Sequence, residues 1–253
     1  MYHINIKYFS RRKGQTVIAA AAYRSGQRLY DHYYGEIRDF TNKGGIVRSW
    51  ILLPPNAPKE FSDRATLWNA VEHSEKRCDS RLAREVEVAL PAESTTDERI
   101  RLVERYAKAN FVERGMCADI SLHDKGNNNV HMHILLTTRN VTHDGFGLKN
   151  REWDKRENVD VWRREWANVL NREYERKELE KRVSHESYAI QDINQDIERI
   201  PKIHLGHRVI KLEEKGIETD RGNKYRLIIE KREHSEQERQ RKHERQRKHE
   251  RSR

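Results

Sequence analysis

Residues 2–8, YHINIKY, place apolar and polar side chains alternately, the two-residue period of a strand with one buried face. The polar turn SRRKGQ follows, and the Ala-rich stretch 16–29 consists of helix-compatible residues. The same succession of strand and helix recurs further on. Residues 46–53 predict a second strand stopped by Pro54 and Pro55, and 58–77 repeat apolar side chains at helical spacing through Phe61, Leu67, Trp68 and Val71. A third strand is predicted over 82–90, ended by Pro91. Thr95 and Thr96 are suitable caps for a helix over 97–113, which Gly115 closes.

Two more strands, 117–123 and 130–139, flank the turn-rich DKGNNN, whose Gly and Asn residues tolerate the backbone angles of a hairpin loop, so an antiparallel hairpin is expected. Residues 158–182 predict a charged amphipathic helix with Trp162, Trp166, Val169, Leu170 and Tyr174 on recurring positions, a stripe expected in the core. The segments IPKIHLGHR and EKGIETDRGNKY are interrupted by Pro and Gly. The direct repeat ERQRKH, at 238–243 and 244–249, lies in a terminal stretch expected to be a solvated helix or disordered.

Composition narrows the class. With 253 residues, the chain has room for one substantial domain and an extension. Charged residues make up 36% against 35% hydrophobic, so the core must be concentrated in part of the sequence. No apolar run approaches the roughly 20 residues that span a bilayer, and MYHINIKYFSRRKG lacks a signal-peptide core. Membrane insertion is therefore not expected, and the expected location is the cytoplasm. Cys78 and Cys117 are the sole cysteines and form no CxxC pair, so any metal would be held by His, Asp or Glu. The net charge of +10 favours a polyanionic partner. From Arg232 onward nine Lys/Arg stand against five Asp/Glu, so the body is basic without its tail.

The hairpin carries the most informative chemistry. His131 and His133 are two apart on a predicted strand and share a face, while Met132, Ile134 and Leu136 share the other. His123 ends the partner strand, where antiparallel pairing can bring a third imidazole beside them. Three imidazoles can hold a divalent ion and leave coordination positions open for substrate. An isolated His-x-His is more often a polar exposed face; the apolar reverse face and the third histidine favour a metal site. Glu85 and Glu87 have the same geometry in REVEVAL, and such carboxylates can orient a metal-bound ring or take a proton, or else pair with a surface cation. Tyr23, in AAAAYRSGQRL, is a phenol among small residues that let a substrate backbone approach closely. Spacing alone does not select it among ten tyrosines, most of which pack through their rings.

In order and spacing, these motifs resemble the MobA/MobL (MobQ-type) family of plasmid mobilisation relaxases, within the HUH endonucleases named for the His-hydrophobic-His strand. MYHINIKYFSRRKGQ resembles the family's first strand and Gly-Gln turn, AAYRSG its tyrosine motif, REVEVALP its acidic strand and HMHILLTTR its metal strand. RVSHESYA and IPKIHLGHRVIKLEEKGIETDRGNKY are similar to its closing segment, so the resemblance covers residues 1–224, leaving 225–253 as a basic tail. It implies an α+β fold with a central antiparallel sheet flanked by helices, followed by a charged helical extension. It implies Tyr23 as nucleophile, His123, His131 and His133 as ligands of Mg or Mn, and Glu85 and Glu87 near the site. Val130 precedes His131 where many members have Pro, a difference confined to the loop entry.

The implied reaction is nicking of one DNA strand at an origin of transfer, with a 5′-phosphotyrosyl intermediate and later religation. Its partners would be single-stranded DNA, accessory mobilisation proteins and the coupling protein of a secretion system. Arg163, Arg164 and Arg172 are candidate phosphate contacts, and Tyr8 and Tyr30 are competing phenols ranked below Tyr23. A rolling-circle replication initiator shares this chemistry. A non-catalytic DNA-binding protein would explain the charge but not the Tyr, His and Glu motifs, and a three-histidine hydrolase of another substrate would leave the basic surface unexplained. No GxxxxGK[ST] motif is present, so unwinding is expected to come from another protein.

Overall fold

The computed structural model describes residues 2–126, 129–186 and 205–251. The chain separates into two units, Met1–His185 and Glu186–Arg253, each described here by itself.

In the first unit, strand β1 (Ile4–Ser10) leads to helix α1 (Val17–Ser25), whose start is capped by the Thr16 side chain accepting from the Ile18 amide. Gly26 ends α1 in the left-handed conformation, φ 65°, and its successors form a short ribbon of β2 (Arg28–Asp31) and β3 (Glu36–Asp39). The helix expected over 16–29 is therefore shorter: the chain reverses at Gly26, and Leu29 is buried from a strand instead. Strand β4 (Ile46–Leu52) precedes α2 (Arg64–Ser74). Expected from residue 58, α2 instead begins after a 3-10 turn at Lys59–Ser62, because the Asp63 side chain caps it by accepting from the Thr66 amide.

Strand β5 (Arg81–Ala89) is followed by α3 (Thr96–Asn110), opened by a capping box in which Thr95 and Glu98 satisfy each other's backbone amides. Strands β6 (Ala118–His123) and β7 (His131–Leu136) form the expected hairpin, and Asn127 and Asn128 of its loop lie outside the described residues. A second ribbon, β8 (Arg139–Thr142) with β9 (Gly145–Lys149), leads to α4 (Arg156–Arg176).

The main sheet has the order β1-β5-β7-β6-β4, with every neighbouring pair antiparallel. Alternation along its strands creates two unlike faces. One face presents Val86 and Val88, Ile120 and Leu122, and Met132 and Ile134 to a core shared with Ile100, Val103, Tyr106 and Phe111 of the α3 region and Trp162, Trp166 and Leu170 of α4. Tyr106 meets Trp166 and Phe111 meets Trp162 edge to face, at centroid distances of 5.1 and 5.3 Å. The predicted aromatic stripe is thus core.

The other face is covered partly by α1 and α2. Ala20, Ala21 and Ala22 are buried with Val17 and Ile18 in a second core that includes Leu67, Trp68, Val71 and Leu135. Alanines let α1 lie close to its neighbours. Helix α2 docks through a buried polar group: Asp119 accepts two hydrogen bonds from Arg64 and one from Trp68 Nε1, all 2.8 Å long. Replacing water with three donors lets this carboxylate be buried.

The second unit contains α5 (His207–Glu213) and α6 (Asp220–Arg251). Glu213 accepts from the Thr219 amide and hydroxyl, both at 2.7 Å, at the turn between the helices. The terminal repeat lies on α6. The expected closing segment 182–224 is only partly described, since residues 187–204 lie outside the described set. No helix among the described residues is long and apolar enough to cross a membrane.

Gly26 generates a prediction, because an added Cβ would lie 2.5 Å from Ile46 Cδ1 at a positive φ. Gly26→Ala is expected to lower unfolding free energy by roughly 1–2 kcal/mol, the usual cost of a left-handed L-residue. Urea denaturation with an unchanged midpoint would show that the turn does not need glycine.

Candidate metal centre

The three histidines converge because of strand register. His123 pairs with His131 across β6 and β7, and Glu87 pairs with His133 across β5 and β7. All four therefore leave the sheet on the face opposite the aromatic core. The imidazole centroids are 4.7 Å apart for His123 and His133, 5.1 Å for His131 and His133, and 5.4 Å for His123 and His131. One nitrogen from each ring lies within 4.8 Å of those of the other two.

Their hydrogen bonds define which nitrogens carry protons, since a carbonyl or a carboxylate can only accept. His131 Nδ1 donates to the Asn129 carbonyl at 2.8 Å, and His133 Nδ1 donates to Glu85 Oε1 at 2.9 Å. As a neutral ring, each would keep its lone pair on Nε2. His123 Nε2 donates to the Arg24 carbonyl at 2.7 Å, which leaves Nδ1 as its lone-pair nitrogen; ligation through Nε2 would exchange that hydrogen bond for the ion. Burial, followed by the charges of His133, Lys43 and His131, pushes the His123 pKa down to about 4 against the opposing Arg24 carbonyl. A neutral ring at physiological pH is what a cation requires. The donor set thus fits a divalent ion: three imidazoles that each bring one nitrogen within 4.8 Å of the other two, two of them oriented from behind by a carboxylate or a carbonyl.

Glu85 has no exposed surface. Burial pushes its pKa up, but hydrogen bonds from His133 and Arg24 and the charge of Arg24 overcome this and hold the carboxyl below the usual range. Lys7, its cross-strand neighbour on β1, adds an ion pair at 2.8 Å. Glu87 is partly exposed; it belongs with Glu85 and His133 to a second set of groups within 4.8 Å of one another, and Lys7 lies 4.0 Å from it. The two glutamates are thus distinct. Glu85 is tied down, while Glu87 has the freer carboxylate.

Tyr23 lies on the last turn of α1 with 47% of its surface exposed. Arg24, its successor, connects it to the sheet twice, by its guanidinium on Glu85 and its carbonyl on His123. Structure therefore brings the three histidines and two glutamates together, and the helix turn that carries Tyr23 is joined to them through Arg24. It separates the others. Tyr8 lies on the opposite face, where its hydroxyl donates to Asp154 at 3.3 Å and accepts from Arg84 at 2.9 Å. Tyr30 is on the β2–β3 ribbon, against His32. Helix α4 packs on the aromatic face, so Arg163, Arg164 and Arg172 stand behind the sheet from the histidines.

Sequence reasoning missed Arg24, Lys7 and Lys43. Arg24 stands inside the AAYRSG motif, and Lys7 is legible as a strand residue facing the same way as Asn5. Lys43 carries no local signal; it reaches Tyr23 only because the β3–β4 loop folds over the end of α1.

Fold and geometry define an α+β protein with an antiparallel sheet, one face of which carries a three-histidine centre. Residues 15–215 match the MobA/MobL family, and the chain belongs to it. Mobilization protein MobL of Acidithiobacillus ferridurans is 35% identical over 240 residues, covering 81% of this chain and 62% of that protein. The probable mobilization protein MobA of Bifidobacterium longum is 38% identical over 142 residues, 56% of this chain and 25% of that protein. The chain thus spans less than two thirds of the length of either relative. A solved chain described as "Molecular Basis of Vancomycin Resistance Transfer in Staphylococcus aureus" is 35% identical, with a TM-score of 0.70 over 74% of this chain and 100% of that chain.

The depressed His123 pKa predicts acid sensitivity with a defined sign. An unfolded chain would protonate this ring near 6.5, whereas the folded protein resists until about pH 4. Across that window the unfolded state binds more protons, so stability falls as pH falls. Denaturation midpoints between pH 7 and 4.5 are expected to decline less in His123→Gln than in the native sequence; parallel declines would remove His123 as the cause.

Proposed function

We propose that this protein is a DNA relaxase that nicks one strand at a plasmid origin of transfer and later reseals it. The observation that carries the reading is the junction at Arg24, which connects the helix turn bearing Tyr23 to both Glu85 and His123. That turn thus joins the phenol-bearing residue to the imidazole and carboxylate groups on which metal-assisted attack on a phosphodiester would draw. Membership of a family whose relatives are mobilization proteins supports origin-of-transfer DNA as the substrate. The relaxase domain is assigned to residues 1–224 and the basic tail to 225–253.

In the proposed reaction Tyr23 Oη attacks phosphorus in line with the 3′ oxygen. The bond from phosphorus to that oxygen breaks, leaving a 5′-phosphotyrosyl link and, after protonation, a free 3′-hydroxyl. The phenolic proton must leave as attack proceeds. Glu87 is proposed to receive or relay it, since Glu85 is buried and held by hydrogen bonds from Arg24 and His133 and an ion pair with Lys7. Glu85 orients His133 instead. His123, His131 and His133 would hold Mg or Mn, which when bound supplies positive charge to the phosphoryl oxygens. Because the phosphodiester energy is kept in the tyrosyl link, the released 3′-hydroxyl can reverse the step without another energy source.

The substrate is single-stranded DNA at the cleavage position. Accessory mobilisation proteins and the coupling protein of a secretion system are the proposed partners, in the cytoplasm. Net charge of +10 is consistent with a polyanion.

Supercoiled plasmid carrying the cognate candidate origin of transfer, incubated with protein and Mg or Mn and then with protease and denaturant, tests the proposal. Nicked product bearing a blocked 5′ end is expected, and Tyr23→Phe should lower nicking on the order of a thousandfold or more, as loss of a covalent nucleophile does. Full nicking by Tyr23→Phe would refute the nucleophile. Cutting at a replication origin alone would favour a rolling-circle initiator, and binding without cleavage a non-catalytic DNA-binding protein.

A further inference from the structure

The phenol proposed as nucleophile is half exposed, so something must hold its ring if it is to attack along one direction. Two side chains from the loop between β3 and β4 do so. Phe40 meets the Tyr23 ring edge-on, with centroids 5.3 Å apart and planes at 89°. Lys43 Nζ lies 3.7 Å from the centroid of the same ring, within range of an attractive cation–π contact. That ammonium also donates to the Tyr23 carbonyl at 2.8 Å. Since this carbonyl belongs to the last turn of α1, the positive charge sits at the negative end of the helix.

The loop is itself anchored. The Phe40 amide donates to the Gln27 carbonyl at 3.3 Å and the Lys43 amide to the Phe40 carbonyl at 3.0 Å. At its far end the Asp124 amide donates to the Gly45 carbonyl at 2.8 Å, joining the loop to the residue that follows His123. Gly45 has a φ of 81°, and an added Cβ would stand 2.6 Å from Lys125 Cγ, so the two segments meet closely. A lysine twenty residues from Tyr23 is thereby connected to the nucleophile's backbone, its ring and the end of the histidine strand.

We propose that Lys43 is a positioning residue for Tyr23, its ammonium and the Phe40 ring together holding the phenol in one orientation at the edge of the histidine centre. The inference rests on Tyr23 being the nucleophile. Lys43 does not take the phenolic proton or form a bond to DNA in this role; it acts through Tyr23. The charged groups bearing on it are Arg24 and Lys125, which disfavour its charge, and Glu85, which favours it; it in turn bears on His123. Burial, Arg24 and Lys125 push the amine down to about 8, so the cation is present at neutral pH and fades in the alkaline range.

Three versions of the full chain test this: the native sequence, Lys43→Met and Lys43→Arg. Single-turnover cleavage of a single-stranded oligonucleotide spanning the origin of transfer is measured at saturating protein with Mn. Lys43→Met should lower the cleavage rate about tenfold, the scale of a misoriented nucleophile, while the dissociation constant for the oligonucleotide stays within about twofold. Lys43→Arg should restore most of the rate and keep it above pH 8, where the native protein declines. In parallel, DNA-free and metal-free protein labelled with 13C-tyrosine is examined by NMR, the Tyr23 ring signals being assigned from Tyr23→Phe. Lys43→Met should move them toward random-coil positions.

An unchanged rate with unchanged ring signals would overturn the inference. Loss of DNA affinity at an unchanged cleavage rate would overturn it too, making Lys43 a phosphate contact. The NMR arm needs no cleavage: if Tyr23→Phe still cuts DNA, the nucleophile assignment fails while the ring signals still report whether Lys43 holds Tyr23.

Discussion

A carboxylate with no exposed surface must find donors inside the protein to stay ionised, and the Glu85 side chain is the point on which this site depends. Its partners come from three elements far apart in sequence: Arg24 from α1 and His133 from β7 donate hydrogen bonds to one oxygen, and the Lys7 ammonium from β1 forms an ion pair with the other. Burial opposes its charge and the donors outweigh burial, so its pKa is held down. Because Glu85 accepts, His133 donates from Nδ1, and in the neutral ring the lone pair would fall on Nε2, turned away from the carboxylate. One buried charge therefore docks a helix on a sheet and selects the tautomer of a candidate metal ligand.

The rest of the fold divides labour between the two faces of one sheet. Aromatic and aliphatic side chains on the first face pack under α3 and α4, a dry layer with Tyr106, Phe111, Trp162 and Trp166 at its centre. That core lets the second face carry histidines, glutamates and the Asp119 pair. Small side chains matter on this second face: the alanines of α1 let the helix bring Arg24 within reach of Glu85 and His123. Larger residues at these buried positions would have no space without moving the helix, and with it Tyr23.

Family membership and the geometry of the centre bear on different parts of the functional argument. The family joins the chain to mobilization proteins, whereas the junction of Tyr23, Arg24, His123 and Glu85 is the physical basis of the proposed phosphodiester chemistry. Net charge alone would not locate a bound polyanion. The arginines of α4 stand behind the sheet, so their positive charge is not adjacent to the histidines, while Arg24 and Lys43 bear on that centre directly.

Period-two alternation by itself determined that His131 shares a face with His133, that Glu85 shares one with Glu87, and that Met132 and Ile134 turn away, because side-chain direction in a strand is a local property. The hairpin was legible for the same reason, with its turn residues between two apolar runs. Tertiary structure decided the rest. Which strand lies beside which required the order β1-β5-β7-β6-β4, and only that order brings Glu87 opposite His133 and Lys7 opposite Glu85. The end of α1 depended on Gly26 reversing the chain toward a ribbon that periodicity did not announce, and the place of Lys43 on Tyr23 depended on a loop crossing that helix end. Contacts between segments remote in the chain leave no period to read, since they are selected by how buried faces and charges satisfy one another once the elements pack.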